Sequence, residues 1–152
     1  MITIKSKEEL KGYLGKEIGA TEWQTITQEQ INDFAKATGD HQWIHIDVEK
    51  AKQFSPFRTT IAHGFLTLSL APMLIDQIFK MEGVKMGVNY GLNKVRFINP
   101  VPAGAKVRMR ATLANLEDVD NNGVQVTMTL TYELDGADKP ACVAESLMRF
   151  YL

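Results

Sequence analysis

Two kinds of hydrophobic spacing divide the chain. In its second half, apolar and polar residues alternate. Val107, Met109, Ala111 and Leu113 interleave with Lys106, Arg108, Arg110 and Thr112. Val124, Val126, Met128, Leu130, Tyr132 and Leu134 interleave with Gln125, Thr127, Thr129, Thr131 and Glu133. Period two gives a strand one dry face and one wet face. Strands are therefore predicted over 106–117 and 124–134, with Asn122-Gly123 between them as a hairpin signal. A strand over 89–97, ended by Pro100 and Pro102, precedes them. A last strand over 141–151 follows the polar loop DGADKP.

In the first half the spacing is helical. From Gly64 to Lys80 apolar residues, among them Phe65, Leu66, Leu68, Leu70, Met73, Leu74, Ile75, Ile78 and Phe79, occupy nearly every face. Such a helix, ~26 Å long at the standard rise, belongs at the centre of a soluble fold. Pro72 removes one backbone donor from it and predicts a local kink. Upstream, Ser6 with Glu9 and Thr27 with Gln30 are capping-box patterns. They predict a short helix over 7–13, closed near Gly15, and a helix over 28–38, with Ile31, Phe34 and Ala35 on one face and Gly39 just past its end. Residues 18–26 read as a strand carrying Trp23. Residues 40–46 read as a loop, Asp47 caps a short helix through about Lys52, and 54–60 is loop again. One buried helix, an antiparallel meander and no βαβ alternation predict an α+β arrangement, a sheet wrapped round a long central helix.

Composition narrows the class without naming a chemistry. At 152 residues, 45% hydrophobic and 23% charged, residues 1–152 read as one ordinary globular domain. A net charge of -1 offers no basic field for nucleic acid or an acidic membrane surface. The N-terminal stretch lacks the apolar core of a signal peptide, and no apolar run reaches the ~18 residues of a membrane span. The lone Cys142 forms no intrachain disulfide and reads as a small core residue. A cytoplasmic location is the expectation.

The candidate chemistry falls in 38–70, which holds all three histidines, His41, His45 and His63, together with Asp40 and Gly64. A carboxylate beside an imidazole can activate water, because the carboxylate orients the ring and the ring accepts a proton near neutral pH. Spacing leaves this open. Residues five apart diverge on a regular helix and oppose each other on a strand, so Asp40 and His45 meet only if the chain turns after Gly39. Otherwise Asp40 caps a turn and His45 is a half-buried loop residue. His41 and His45 share a helical face near Asp47, yet no HExxH pattern supports a metal site. Gly64 opens the apolar helix. Its amide could hold an oxyanion, or the missing Cβ could simply relieve a crowded helix–sheet contact. Asn93 shares parity with Val95 and Phe97, so it faces a ligand or sits at an edge. Lys94, Arg96, Arg108 and Arg110 suit a solvated sheet face, near strand ends where an anionic tail could lie.

Three segments together resemble the MaoC-like dehydratase family, also called the hydratase 2 family. They are TGDHQWIHID at 38–47, TTIAHGFLTLSL at 59–70 and NYGLNKVRFINPVPAGAKVRMR at 89–110, and their wording is similar to the branch related to nodulation protein N. The resemblance implies a hotdog fold, usually a homodimer with sites near the subunit interface. It implies reversible hydration of a trans-2-enoyl-CoA to the (R)-3-hydroxyacyl-CoA, with CoA as part of the substrate and neither cofactor nor metal. It assigns Asp40 and His45 as the catalytic pair and the Gly64 amide to the thioester carbonyl, leaving Asn93 as a substrate-binding candidate and His41 and His63 as bystanders. Some family members carry a small polar residue about eight positions after the glycine; here that region is Ala71, Pro72 and Met73. Two other functions stay in view. One is a thioesterase on the same fold, for which Asp76 is the only carboxylate between Gly64 and Lys80. The other is a non-catalytic acyl-CoA-binding module.

Overall fold

The structure is a computed structural model describing residues 1–152. In chain order it runs β1 (Ile2–Ile4), α1 (Lys7–Lys11), β2 (Glu17–Ala20), β3 (Gln24–Thr25), α2 (Gln28–Thr38), α3 (Trp43–Ile46) and α4 (Val48–Phe54). It continues with α5 (Gly64–Ser69), α6 (Ala71–Ile78), β4 (Phe79–Met81), β5 (Met86–Phe97), β6 (Lys106–Val119), β7 (Gly123–Leu134) and β8 (Cys142–Tyr151). The large sheet is antiparallel, in the order β2-β6-β7-β8-β5, with β3 also paired to β6. The apolar faces of its strands meet α5 and α6 in one core, where Leu66, Leu74 and Ile78 pack among residues such as Met109, Leu113, Met128 and Leu130. This is the α+β hotdog arrangement.

Local signals formed as the chain reads. Thr27 accepts a hydrogen bond from the Gln30 amide (3.1 Å), and Gly39 closes α2 in the left-handed region at φ 81°. Ser6 caps α1 in the same way. The strand expected over 18–26 is instead two pieces. At the break, Thr21 is buried and its hydroxyl accepts from the Met109 amide (3.0 Å), replacing a ladder bond.

The central helix is interrupted. It ends at Ser69, turns at Leu70, and restarts as α6 with Pro72 in its first turn, where α6 itself loses no hydrogen bond. Pro72 cannot donate to the Leu68 carbonyl one turn back. The hydroxyl of fully buried Tyr132 donates there instead (3.0 Å), reaching across from β7. The helix is also shorter than the apolar run. Phe79 leaves it for β4, which pairs in parallel with β1. Nor is it buried all round, since Phe65 and Met73 are exposed.

Candidate active site

The residues of 38–64 fold into a corner beside the start of α5. After Gly39 the chain does not run as an open loop. It makes the single turn α3, which buries His45. Asp47 ends that turn and caps α4 by accepting from the Lys50 amide (3.0 Å). Trp43 is half-buried, with the Lys50 ammonium 4.7 Å from its ring centroid. His41 lies exposed outside the corner.

This turn brings Asp40 and His45 together, and it brings His63 with them. Their ligand-type atoms all lie within 4.8 Å of one another. The Asp40 carboxylate is 52% exposed, with one oxygen accepting from the Gln42 amide (3.3 Å) and the other 3.9 Å from His63 Nε2. The His45 ring is held by Nδ1, which donates to the Ile61 carbonyl (2.7 Å). That contact leaves Nε2 with the lone pair in the neutral ring. The His45 backbone is fixed too, since Gln28 Nε2 donates to its carbonyl (2.8 Å) while Gln28 Oε1 accepts from Thr60.

Gly64 is the first residue of α5, and the N-cap His63 makes no side-chain bond to the helix amides. The first amides of a helix have no carbonyl behind them, so the Gly64 N–H is open. A Cβ at Gly64 would lie 3.0 Å from the Phe97 ring. The glycine therefore does relieve a crowded contact, and the same contact keeps a side chain out of the space beside its amide. His45, Gly64 and Thr67 line one open cavity of about 300 Å³ together with Phe97, Val101 and Ala141.

Three donors this close invite a metal reading, but the rings argue against it. His45 and His63 stack at 3.9 Å between centroids with 24° between planes. Lone pairs lie in the ring plane, so stacked imidazoles aim them side by side rather than at one point, unlike the converging ligands of a closed site.

Asn93 is not drawn into the cavity. It is the extra residue of a β-bulge between Leu92 and Lys94, and bulges break the alternation that parity assumes. Its amide donates to Glu145 (2.8 Å), at a position alternating with the buried Cys142, Ala144, Ser146 and Met148 of β8. Val95 still packs on the core. Arg108 and Arg110 both bond Glu133, and Arg110 also bonds Glu17 (2.9 Å), as a solvated sheet face would. Burial pushes the Cys142 thiol up to about 11, far from a nucleophilic thiolate. Asp76 is exposed on α6 and lines a different cavity from His45.

The sequence left His63 as a bystander and did not single out Gln28. Only their places in the fold mark them, 23 residues from Asp40 and 17 from His45.

Comparison with known proteins places the whole chain. Residues 9–134 match the family described as MaoC like domain. The chain is 53% identical to 3-hydroxyacyl-thioester dehydratase Z of Mycobacterium tuberculosis, over 99% of both chains. It is 43% identical to nodulation protein N of Rhizobium leguminosarum bv. viciae, over 86% of this chain and 82% of that one. The (R)-hydratase from A. caviae involved in PHA biosynthesis superposes with a TM-score of 0.71 at 22% identity, over 89% of this chain and 94% of that one, a likeness of fold.

Proposed function

The chain belongs to the MaoC-like domain family, and from that premise we propose that it is a 3-hydroxyacyl-thioester dehydratase. In the reverse direction it acts as an (R)-specific enoyl-CoA hydratase. The observation that carries this is that His45, which meets Asp40, lines one cavity together with the open amide of Gly64. Residues 1–152 form one such domain.

The geometry supports a division of labour. A thioester carbonyl accepts from the Gly64 N–H, which draws electrons out of the conjugated double bond. C3 becomes electrophilic, and negative charge grows on the carbonyl oxygen where the amide waits. Water sits between the Asp40 carboxylate and His45 Nε2. Its oxygen bonds to C3 while one proton passes to Nε2. When the enolate collapses, that proton moves to C2 and His45 returns to neutral. Water supplies every atom added, so the step balances with no redox or metal partner. Asp40 orients the water and faces the transient imidazolium, whose Nδ1–H stays on the Ile61 carbonyl.

Mixing the protein with crotonyl-CoA tests the reading. Loss of enoyl-thioester absorbance without thiol release is the expected outcome. Thiol release, which removes the enoyl-thioester chromophore too, points to a thioesterase, and binding with neither change points to a carrier or assembly module.

The substrate partner is an acyl-CoA thioester, and the second partner is another copy of this chain. β5 is an edge strand, and Met86, Val88, Tyr90 and Leu92 along it are all exposed. An unpaired apolar edge of this length is a liability for a lone chain, and edge pairing with a twofold-related β5 covers it. Light scattering at twice the mass of one chain is expected, and a monomer at micromolar concentration overturns the dimer. The work is cytoplasmic on this reading. No helix is long and apolar enough to cross a membrane.

A further inference from the structure

We propose that His63 is a positioning residue that holds both members of the proposed catalytic pair from one side chain. The inference rests on the assignment of Asp40 and His45 to proton transfer. His63 is 3% exposed. Its Nε2 donates to the Asp40 carbonyl (3.0 Å), clamping the backbone that carries the carboxylate. Its face lies against the His45 ring at 3.9 Å, and Phe34 backs it from another direction at 4.9 Å. So one buried ring fixes the height of Asp40 by a hydrogen bond and the tilt of His45 by contact.

The other nitrogen, Nδ1, is buried and has no hydrogen-bond partner. The Asp40 carbonyl can only accept, so Nε2 carries a hydrogen, and no acceptor stands at Nδ1 to take a second one. The contacts therefore fit a neutral ring with its hydrogen on Nε2. A neutral π-face also suits the moment when His45 carries the extra proton, because a cation is attracted to an aromatic face. His63 need not touch substrate to do this. It acts through the His45 ring it stacks on, and His45 lines the cavity.

Two substitutions separate its contacts. His63→Phe keeps a flat ring and loses the N–H. His63→Gln keeps an N–H near the position of Nε2 and loses the ring. With crotonyl-CoA, His63→Phe is expected to lower kcat by about tenfold or more with KM within about threefold, since misplaced groups cost turnover rather than binding. His63→Gln is expected to recover part of that loss. In an Asp40→Asn background the same His63→Phe change should cost less than about threefold, because residues acting through one another are not additive. A kcat for both folded variants within threefold of wild type overturns the inference, as does an undiminished loss in the Asp40→Asn background.

The unaltered protein gives an independent reading by long-range ¹H–¹⁵N spectra of the imidazoles. His63 should carry its hydrogen on Nε2 and His45 on Nδ1. A His63 ring protonated on Nδ1 alone overturns the clamp even if neither variant folds. If Asp40→Asn and His45→Ala retain turnover, the catalytic pair itself fails. If they lose it while His63 variants do not, only the present inference fails.

Discussion

The chain interrupts its regular backbone at two buried places, and it repairs them differently. At the break between α5 and α6, Pro72 leaves the Leu68 carbonyl without its helical donor, and the Tyr132 hydroxyl takes over. Tyr132 has one proton to give and gives it. Burial raises its phenol above the ordinary range, so it stays protonated as a donor. In the corner around Asp40, carbonyls are also met by side chains: Asp40 by His63, Ile61 by His45, and His45 itself by Gln28. Two of these donors are imidazoles, and an imidazole that spends one nitrogen on a carbonyl keeps another. The break is closed. The corner is closed structurally, yet it retains His45 Nε2 and a half-exposed carboxylate for chemistry.

This contrast fails first if the corner proves dispensable. Asp40→Asn or His45→Ala is expected to lower crotonyl-CoA turnover by about two orders of magnitude or more, in line with general acid–base contributions. Near wild-type rates in both would reduce the corner to another structural repair. At the break, Tyr132→Phe is expected to cost stability, ~1 kcal/mol for a hydrogen bond lost at a part-buried carbonyl, in chemical denaturation. Turnover per folded molecule should stay within about threefold. Adding Pro72→Ala returns a backbone N–H next to that carbonyl, so the double variant should recover part of the loss. Equal stability of single and double variants would break the proposed exchange of donors.

The smallest effect concerns a repair at the surface. Burial would raise the Glu133 carboxyl, but the bonds from Arg108 and Arg110 outweigh it and hold the group below its usual range. A depressed carboxylate stabilises the fold above its unfolded value, and that stabilisation fades as pH falls through the folded one. Glu133→Gln should therefore flatten the acid limb of a melting profile below about pH 4. Exposure and salt screening keep the effect modest.

Where signals are local, sequence and structure agree closely. The α2 helix begins at the Thr27 cap and ends at Gly39, since both caps act within a few residues. The meander follows its alternation, and Gly123 opens β7 opposite Val119. Long-range partners explain the departures. Phe79 looked helical by hydrophobicity, but Ile2 offered a parallel strand. The outer face of β7 looked wet, yet Gln125 is buried between Glu117 and Arg149, and Arg149 itself lies over Tyr90. Asn93 kept its parity only until the bulge displaced it. Spacing could not bring Asp40 to His45, because the one-turn α3 that does so has no strong propensity of its own. It depends on the Gln28 and Ile61 contacts, and His63 depends on the corner existing at all.

The stitching of the corner to the turn between β5 and β6 has a kinetic consequence. The Ala62 amide donates to the Val101 carbonyl (2.8 Å), and Ile61 forms a bridge with Pro102. These links, and the His63 clamp on Asp40, close long loops whose entropy is lost before any contact is returned. The α2 helix needs no such closure. During refolding, helical signal should thus return ahead of turnover. Recovery of activity would then time the docking of 38–64 onto the Val101–Pro102 turn rather than the formation of any single element.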